Sequence, residues 1–149
     1  MVNEISAILI NAFTNGNKLL VCGNGGSATM SSHFAGEFVG KFKHKRKALP
    51  ALALNDIAVV TAVGNDYSFD EVFSRQIEAF GHEGDILITL STSGTSPNIL
   101  QAQDTAIQKG MILVPFPTNK ELGTDTAKTQ ETHLKMIHEI AEIVEEAFL

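Results

Sequence analysis

Residues 91–96 read Ser-Thr-Ser-Gly-Thr-Ser, and residues 23–27 read Gly-Asn-Gly-Gly-Ser. The first segment offers the hydroxyls of Ser91, Thr92, Ser93 and Ser96 around Gly94; the second, Asn24, Gly25, Gly26 and Ser27 included, offers backbone N–H groups with little side-chain bulk over them. Such groups donate to an anion, and a helix start behind them adds a partial positive charge. Both segments suit a phosphate monoester held without a formal cation. An ordinary capped turn is the plainer reading of either one alone, because Ser and Thr are good N-caps. Two such turns with this many hydroxyls favour the anion site. Neither has the Gly-x-x-x-x-Gly-Lys-Ser/Thr pattern of a nucleotide P-loop, and residues 23–27 lack the full Gly-x-Gly-x-x-Gly of a dinucleotide site.

A second set of residues suits a metal or a proton. His33 and Glu37 are four apart, so on a helix they share a face. An imidazole and a carboxylate one turn apart can hold a divalent ion or move a proton. A solvated surface pair is the alternative. Gln130 and His138 lie two turns apart on a later helical stretch, about 12 Å along its axis, with His133 beside them. They can line one elongated cleft, or simply face solvent.

Positioning these residues needs strands that end at the two turns and helices that start there. Glu4–Phe13 has helical apolar spacing, and Gly16 suits a left-handed C-cap. Lys18–Cys22 reads as a buried strand, followed by the glycine turn and a helix over about Ser27–Val39. Leu49–Leu54 is a second strand; Asp56 caps a helix through Val63, which Gly64-Asn65-Asp66 is expected to break. Phe69–Phe80 reads as one helix and Asp85–Leu90 as the clearest parallel strand. Pro97 opens a helix to about Lys109, and Met111–Val114 is another strand. Pro115–Thr126 reads as loop, and a long helix runs from about Thr126 to Phe148. Strands alternating with helices imply right-handed crossovers and a parallel α/β sheet, within a length of 149 residues that fits one domain, 1–149.

Composition narrows the function classes. A net charge of −6 argues against a broad nucleic-acid footprint. The one basic run, Lys41 to Lys47, reads as a solvated loop, with phosphate steering as the alternative. The single cysteine, Cys22, has no internal disulfide partner and fits a buried strand in a reducing compartment. No apolar stretch is long enough to span a membrane, and the start lacks a signal-peptide pattern, so a cytoplasmic protein is expected.

Several stretches together carry a resemblance. They are Val21–Ser27, His33-Phe34-Ala35-Gly36-Glu37, Val63-Gly64-Asn65-Asp66, Ser91–Asn98 and Gln130-Glu131-Thr132-His133 through His138. They resemble the sugar isomerase (SIS) domain family, and within it the phosphoheptose isomerases, from about Asn15 to Met111 and again from about Thr124 onward. The resemblance implies a three-layer αβα sandwich of flavodoxin-like type. It implies an enzyme of heptose biosynthesis that converts sedoheptulose 7-phosphate to D-glycero-D-manno-heptose 7-phosphate by proton transfer through an enediol. Substrate contacts would come from Asn24, Gly25, Gly26, Ser27, Asn65, Asp66, Ser91, Thr92, Ser93, Ser96 and Gln130. One Zn²⁺ per site would be held by His33, Glu37, Gln130 and His138, with Glu37 and His138 as the acid/base pair. A homotetramer with sites at subunit interfaces is implied as well. The alternative is a non-catalytic sugar-phosphate-binding regulator of the DiaA kind; those proteins lack the counterparts of His33, Glu37 and His138, which this chain has. The family usually has a further helix before the one starting near Val2 and more residues between Met111 and Gln130, either lost from this protein or not included in this sequence, and it commonly carries Arg where Lys41 stands.

Overall fold

Leu19–Cys22 and Ile86–Leu90 are near-continuous apolar runs, as strands covered on both faces require. The computed structural model describes residues 1–149 and builds a parallel sheet around these runs. In chain order the elements are α1 (Val2–Thr14), β1 (Leu19–Gly23), α2 (Gly26–Val39), β2 (Ala51–Ala53) and α3 (Ile57–Asp66). A 3₁₀ turn (Phe69–Glu71), α4 (Ser74–Phe80), β3 (Ile86–Leu90) and α5 (Pro97–Gln108) follow, then β4 (Ile112–Pro115), α6 (Asn119–Leu122) and α7 (Thr126–Glu146). All strand pairs are parallel and the sheet order is β2-β1-β3-β4.

The period-two alternation of the strands divides the core into two layers. Leu19, Val21, Ile86, Ile88 and Leu90 pack with Leu9 and Phe13 of α1, Phe34 and Phe38 of α2, and Ile137, Ile140 and Val144 of α7. Leu20, Cys22 and Leu87 pack on the opposite face with Val63 of α3, Ile77 of α4, and Ile99, Ala102 and Ala106 of α5. The result is the three-layer αβα sandwich. Burial raises the Cys22 thiol far above its ordinary range, which keeps it an inert core residue.

The sheet order fixes where a ligand can sit. β1 leads through α2 to β2 on one side, and β3 leads through α5 to β4 on the other. Because α2 and α5 lie on opposite faces, a crevice opens between the carboxyl ends of β1 and β3, the switch point at which open α/β sheets bind ligands. At the opposite, amino end these strands are tied together. The buried Asp85 carboxylate accepts from the backbone N–H groups of Lys18 (3.0 Å) and His82 (2.8 Å), from the Asn17 amide (3.2 Å) and from the Lys18 ammonium.

Three elements differ from their sequence expectation. α3 continues through Gly64 to Asp66, since a helical glycine costs only about 1 kcal/mol and Val63 anchors that turn in the core. Phe69–Phe80 is divided into the 3₁₀ turn and α4, although Val72, Phe73 and Ile77 are all buried. The periodicity records which side chains face inward, not an unbroken hydrogen-bond ladder. The expected loop Pro115–Thr126 contains α6, started by a capping box in which Thr118 and Glu121 each satisfy the other's backbone.

Candidate active site

Two strand-to-helix turns meet at the switch point. Gly23 permits this approach: a Cβ there would lie 2.8 Å from the Leu90 carbonyl and 2.7 Å from the Ser27 Cβ. Between the turns lies a cavity of about 310 Å³ lined by Asn24, Gly25, Gly26, Ser27, Ser91, Thr92, Ser93 and Ser96, with Leu90, Thr126 and Gln130 closing it. Nine of the expected substrate residues therefore share one cradle. Ser91 Oγ accepts the Gly94 N–H (3.0 Å) and Ser93 Oγ accepts the Thr95 N–H (3.2 Å), leaving both hydroxyl protons free to donate. Ser96 is the N-cap residue of α5 but its hydroxyl makes no capping bond, so it too is free for a ligand.

The width of the cradle is set by a pair of amides. Asn24 Nδ2 donates to Asn98 Oδ1 (2.9 Å) and Asn98 Nδ2 donates back to Asn24 Oδ1 (2.8 Å). Asn98 is buried on α5, so this reciprocal pair fastens the glycine turn to the hydroxyl turn.

A groove leads from the cradle between α2 and α7. Gly26, Thr29, Met30, His33 and Leu134 line a second cavity of about 280 Å³, and Gly26 belongs to both. Farther along, three ligating side chains converge. His33 Nε2 lies 2.8 Å from Glu37 Oε1 and 3.2 Å from His138 Nε2, and one ligand atom from each residue falls within 4.8 Å of the others. His138 and Glu37 are half-buried and His33 is exposed. Phe42 stacks on the His138 ring, with centroids 5.6 Å apart and planes at 29°.

The SIS domain family profile matches residues 1–116. The chain belongs to the SIS domain family. Among relatives of this SIS-domain chain, the phosphoheptose isomerase of Thermodesulfovibrio yellowstonii is 41% identical, with 98% of this chain and 80% of that protein aligned. The phosphoheptose isomerase of Geobacter sp. (strain M21) is 45% identical, with 99% and 85% aligned. The solved structure of phosphoheptose isomerase GmhA from Neisseria gonorrhoeae superposes with a TM-score of 0.88 at 34% identity, over 97% of this chain and 85% of that one. A phosphoheptose isomerase structure from Francisella tularensis also superposes with a TM-score of 0.88, at 33% identity.

Two imidazoles and a carboxylate form a donor set that divalent zinc accepts. Their separations of 2.8 and 3.2 Å approach the roughly 3.3 Å edge of a tetrahedral site with metal–nitrogen distances near 2.0–2.1 Å. The SIS-domain chain thus has residues that fit such an ion. Gln130 stands two turns before His138 on α7, lines the cradle, and lays its amide against Gly26, where a Cβ would meet Nε2 at 3.1 Å.

Other residues stand apart. Asn65 and Asp66 are exposed at the end of α3, bonded to each other at 3.0 Å, and line no cavity. His133 faces the core instead of the cleft: Nε2–H donates to the Pro117 carbonyl at 2.7 Å. Burial pushes its pKa down, and the carbonyl only partly opposes this. Sequence reasoning missed Thr126, whose hydroxyl type was the only signal, and Asn98, which follows Pro97 at a helix start. It also missed Phe42, whose neighbours in a basic run concealed it.

Proposed function

We propose that the chain is a phosphoheptose isomerase that interconverts sedoheptulose 7-phosphate and D-glycero-D-manno-heptose 7-phosphate. The observation that carries this reading is a juxtaposition: a hydroxyl-rich cradle, a neighbouring α2–α7 cavity that shares Gly26 with it and reaches His33, and the His33–Glu37–His138 cluster beyond. The phosphate anchors one end of the sugar in the cradle, and the reacting carbons reach the cluster at the other.

The isomerisation is internally balanced and needs no external oxidant or reductant. Glu37 removes a proton from C1 of the open-chain ketose, and the electron pair forms the C1–C2 double bond of a cis-enediol. The carboxyl returns the proton to C2. His138 moves the other proton between the two oxygens, from the C1 hydroxyl to the former C2 carbonyl oxygen. Ser91, Thr92, Ser93 and Ser96 hold the phosphate, while Asn24, Gly25, Gly26, Ser27 and Gln130 orient the chain between the two ends. A Zn²⁺ held by His33, Glu37, Gln130 and His138 would polarise the carbonyl and stabilise the enediolate charge.

Asn65 and Asp66, which are exposed and do not line the cradle, act in this reading in a site shared with another copy within a tetramer. A cytoplasmic setting belongs to the same reading; no helix is long and apolar enough to cross a membrane. The convergence of His33, Glu37 and His138 favours catalysis over a purely binding role.

Turnover of sedoheptulose 7-phosphate by the purified protein, with and without added Zn²⁺, tests the reading. Zinc-enhanced isomerisation is expected. Binding of the sugar phosphate without turnover would replace the enzyme with a binding protein.

A further inference from the structure

The basic run 41–47 does not behave as one solvated loop. Its lysines are exposed, but the Arg46 side chain is turned inward and only 1% exposed. Arg46 Nη1 donates to the carbonyls of Phe38 (2.8 Å), Gly40 (2.9 Å) and Lys47 (3.0 Å), and Nη2 donates to that of Glu37. Glu37 and Phe38 belong to the last turn of α2, whose carbonyls have no partner within the helix. A single guanidinium therefore caps the helix end that presents Glu37.

The same arginine faces α7. Glu145 lies seven residues, or two turns, beyond His138, and its carboxylate is buried. Oε1 accepts the Phe42 N–H (2.9 Å), and Oε2 accepts those of Lys43 (2.7 Å) and His44 (2.9 Å). Arg46 Nε stands 3.5 Å from Oε1 as an ion pair without a hydrogen bond. Breaking a buried charge pair on one side is costly because the remaining charge loses its compensation. This loop ends its fastened stretch at Phe42, whose ring stacks on His138.

We propose that Arg46 and Glu145 are positioning residues: they lock the ends of α2 and α7 together and, through Phe42, set the placement of His138 relative to His33 and Glu37. None of the three lines the cradle, whose two α7 residues, Thr126 and Gln130, lie at the opposite end of that helix from Glu145, so the lock acts chiefly on the reacting end of the site. The inference rests on the reading of the cluster as the metal and acid/base site. Supporting residues around a metal's ligands commonly change affinity 10- to 100-fold when replaced.

The test compares Arg46→Met, Glu145→Gln and Phe42→Leu with the unaltered protein, with Phe42→Tyr as the conservative rescue. Co²⁺ affinity is measured by competition with a chelator, inorganic phosphate affinity by calorimetry, and the His138 ring protons by NMR without metal, assigned from His138→Gln. The lock variants are expected to bind Co²⁺ at least tenfold more weakly and to hold phosphate within twofold. The ring-current shift that Phe42 imposes on His138 shrinks in Arg46→Met and Glu145→Gln, and Phe42→Tyr holds both readouts at the unaltered values. If Arg46→Met or Glu145→Gln fails to fold, Phe42→Leu, which removes only a half-buried ring, carries the test through its Co²⁺ affinity. Unmoved His138 resonances in folded Arg46→Met or Glu145→Gln, or an unchanged Co²⁺ affinity in Phe42→Leu, overturn the inference. Equal Co²⁺ affinity of the unaltered protein and His33→Ala would instead overturn the reading of the cluster, leaving the NMR result to judge the lock.

Discussion

The cradle and the cluster lie at two ends of one groove and are built by different means. Apart from Thr126 and Gln130 of α7, the cradle comes from two short turns, each placed by a strand end and a helix start. The cluster comes from two helices packed side by side, with His33 and His138 separated by 105 positions. A local turn keeps its shape as long as its strands pair. A site between helices keeps its shape only if something holds the helix spacing. Under the proposed roles of the two regions, binding and turnover can be lost separately.

Replacing Glu37 by Gln gives the largest separation. It keeps the side-chain shape and removes the base, so kcat is expected to fall about 10³-fold with KM changed little. Steady-state kinetics checks this, and an unimpaired kcat would remove Glu37 from the chemistry. The reverse break combines Thr92→Val with Ser93→Ala. Two donors to a charged ligand are lost, so KM should rise about tenfold to hundredfold while kcat changes less. An unchanged KM would put the phosphate elsewhere.

The smallest effect concerns acid. Burial pushes Glu145 up, but the three amide donors and Arg46 outweigh it, so its pKa lies below the ordinary value. Asp85 is likewise raised by burial and held down on balance by Lys18, Asn17 and His82. A depressed carboxylate stabilises the fold above the unfolded pKa near 4.5 for Glu145 and 3.8 for Asp85, and this is lost as pH falls through the folded value. His133, depressed by burial, begins to favour unfolding earlier, as pH drops below about 6.5. Thermal melts should therefore decline in two stages, the first below about pH 6.5 and the second below about pH 4.5. Glu145→Gln should blunt the second stage, and an undiminished second stage would assign it to other carboxylates.

The same contrast explains what could be read from the sequence. Leu19–Cys22 and Ile86–Leu90 announce strands by composition, and the turns after them point to the residues that line one cavity between the strand ends. His33 and Glu37 were legible because four residues make one helical turn. Their meeting with His138 depends on how α2 and α7 lie on the sheet, which no local pattern encodes. Arg46 looked like its lysine neighbours because burial of a charge is decided by partners elsewhere, here helix-end carbonyls and Glu145. The Thr118–Glu121 capping box was present in the letters and was hidden by two prolines that suggested a loop.

The eleven residues that line the cradle include no ionisable side chain, while the whole chain carries a net charge of −6. If the cradle holds the proposed phosphate ester, recognition at close range is done by dipoles, which dissolved ions screen little, whereas the approach of a dianionic ester is opposed by the overall field. Raising the ionic strength should quicken the encounter and leave the lifetime of the bound ester nearly unchanged. On the proposed reading, salt governs how often a ligand arrives and hydrogen-bond geometry governs how long it stays.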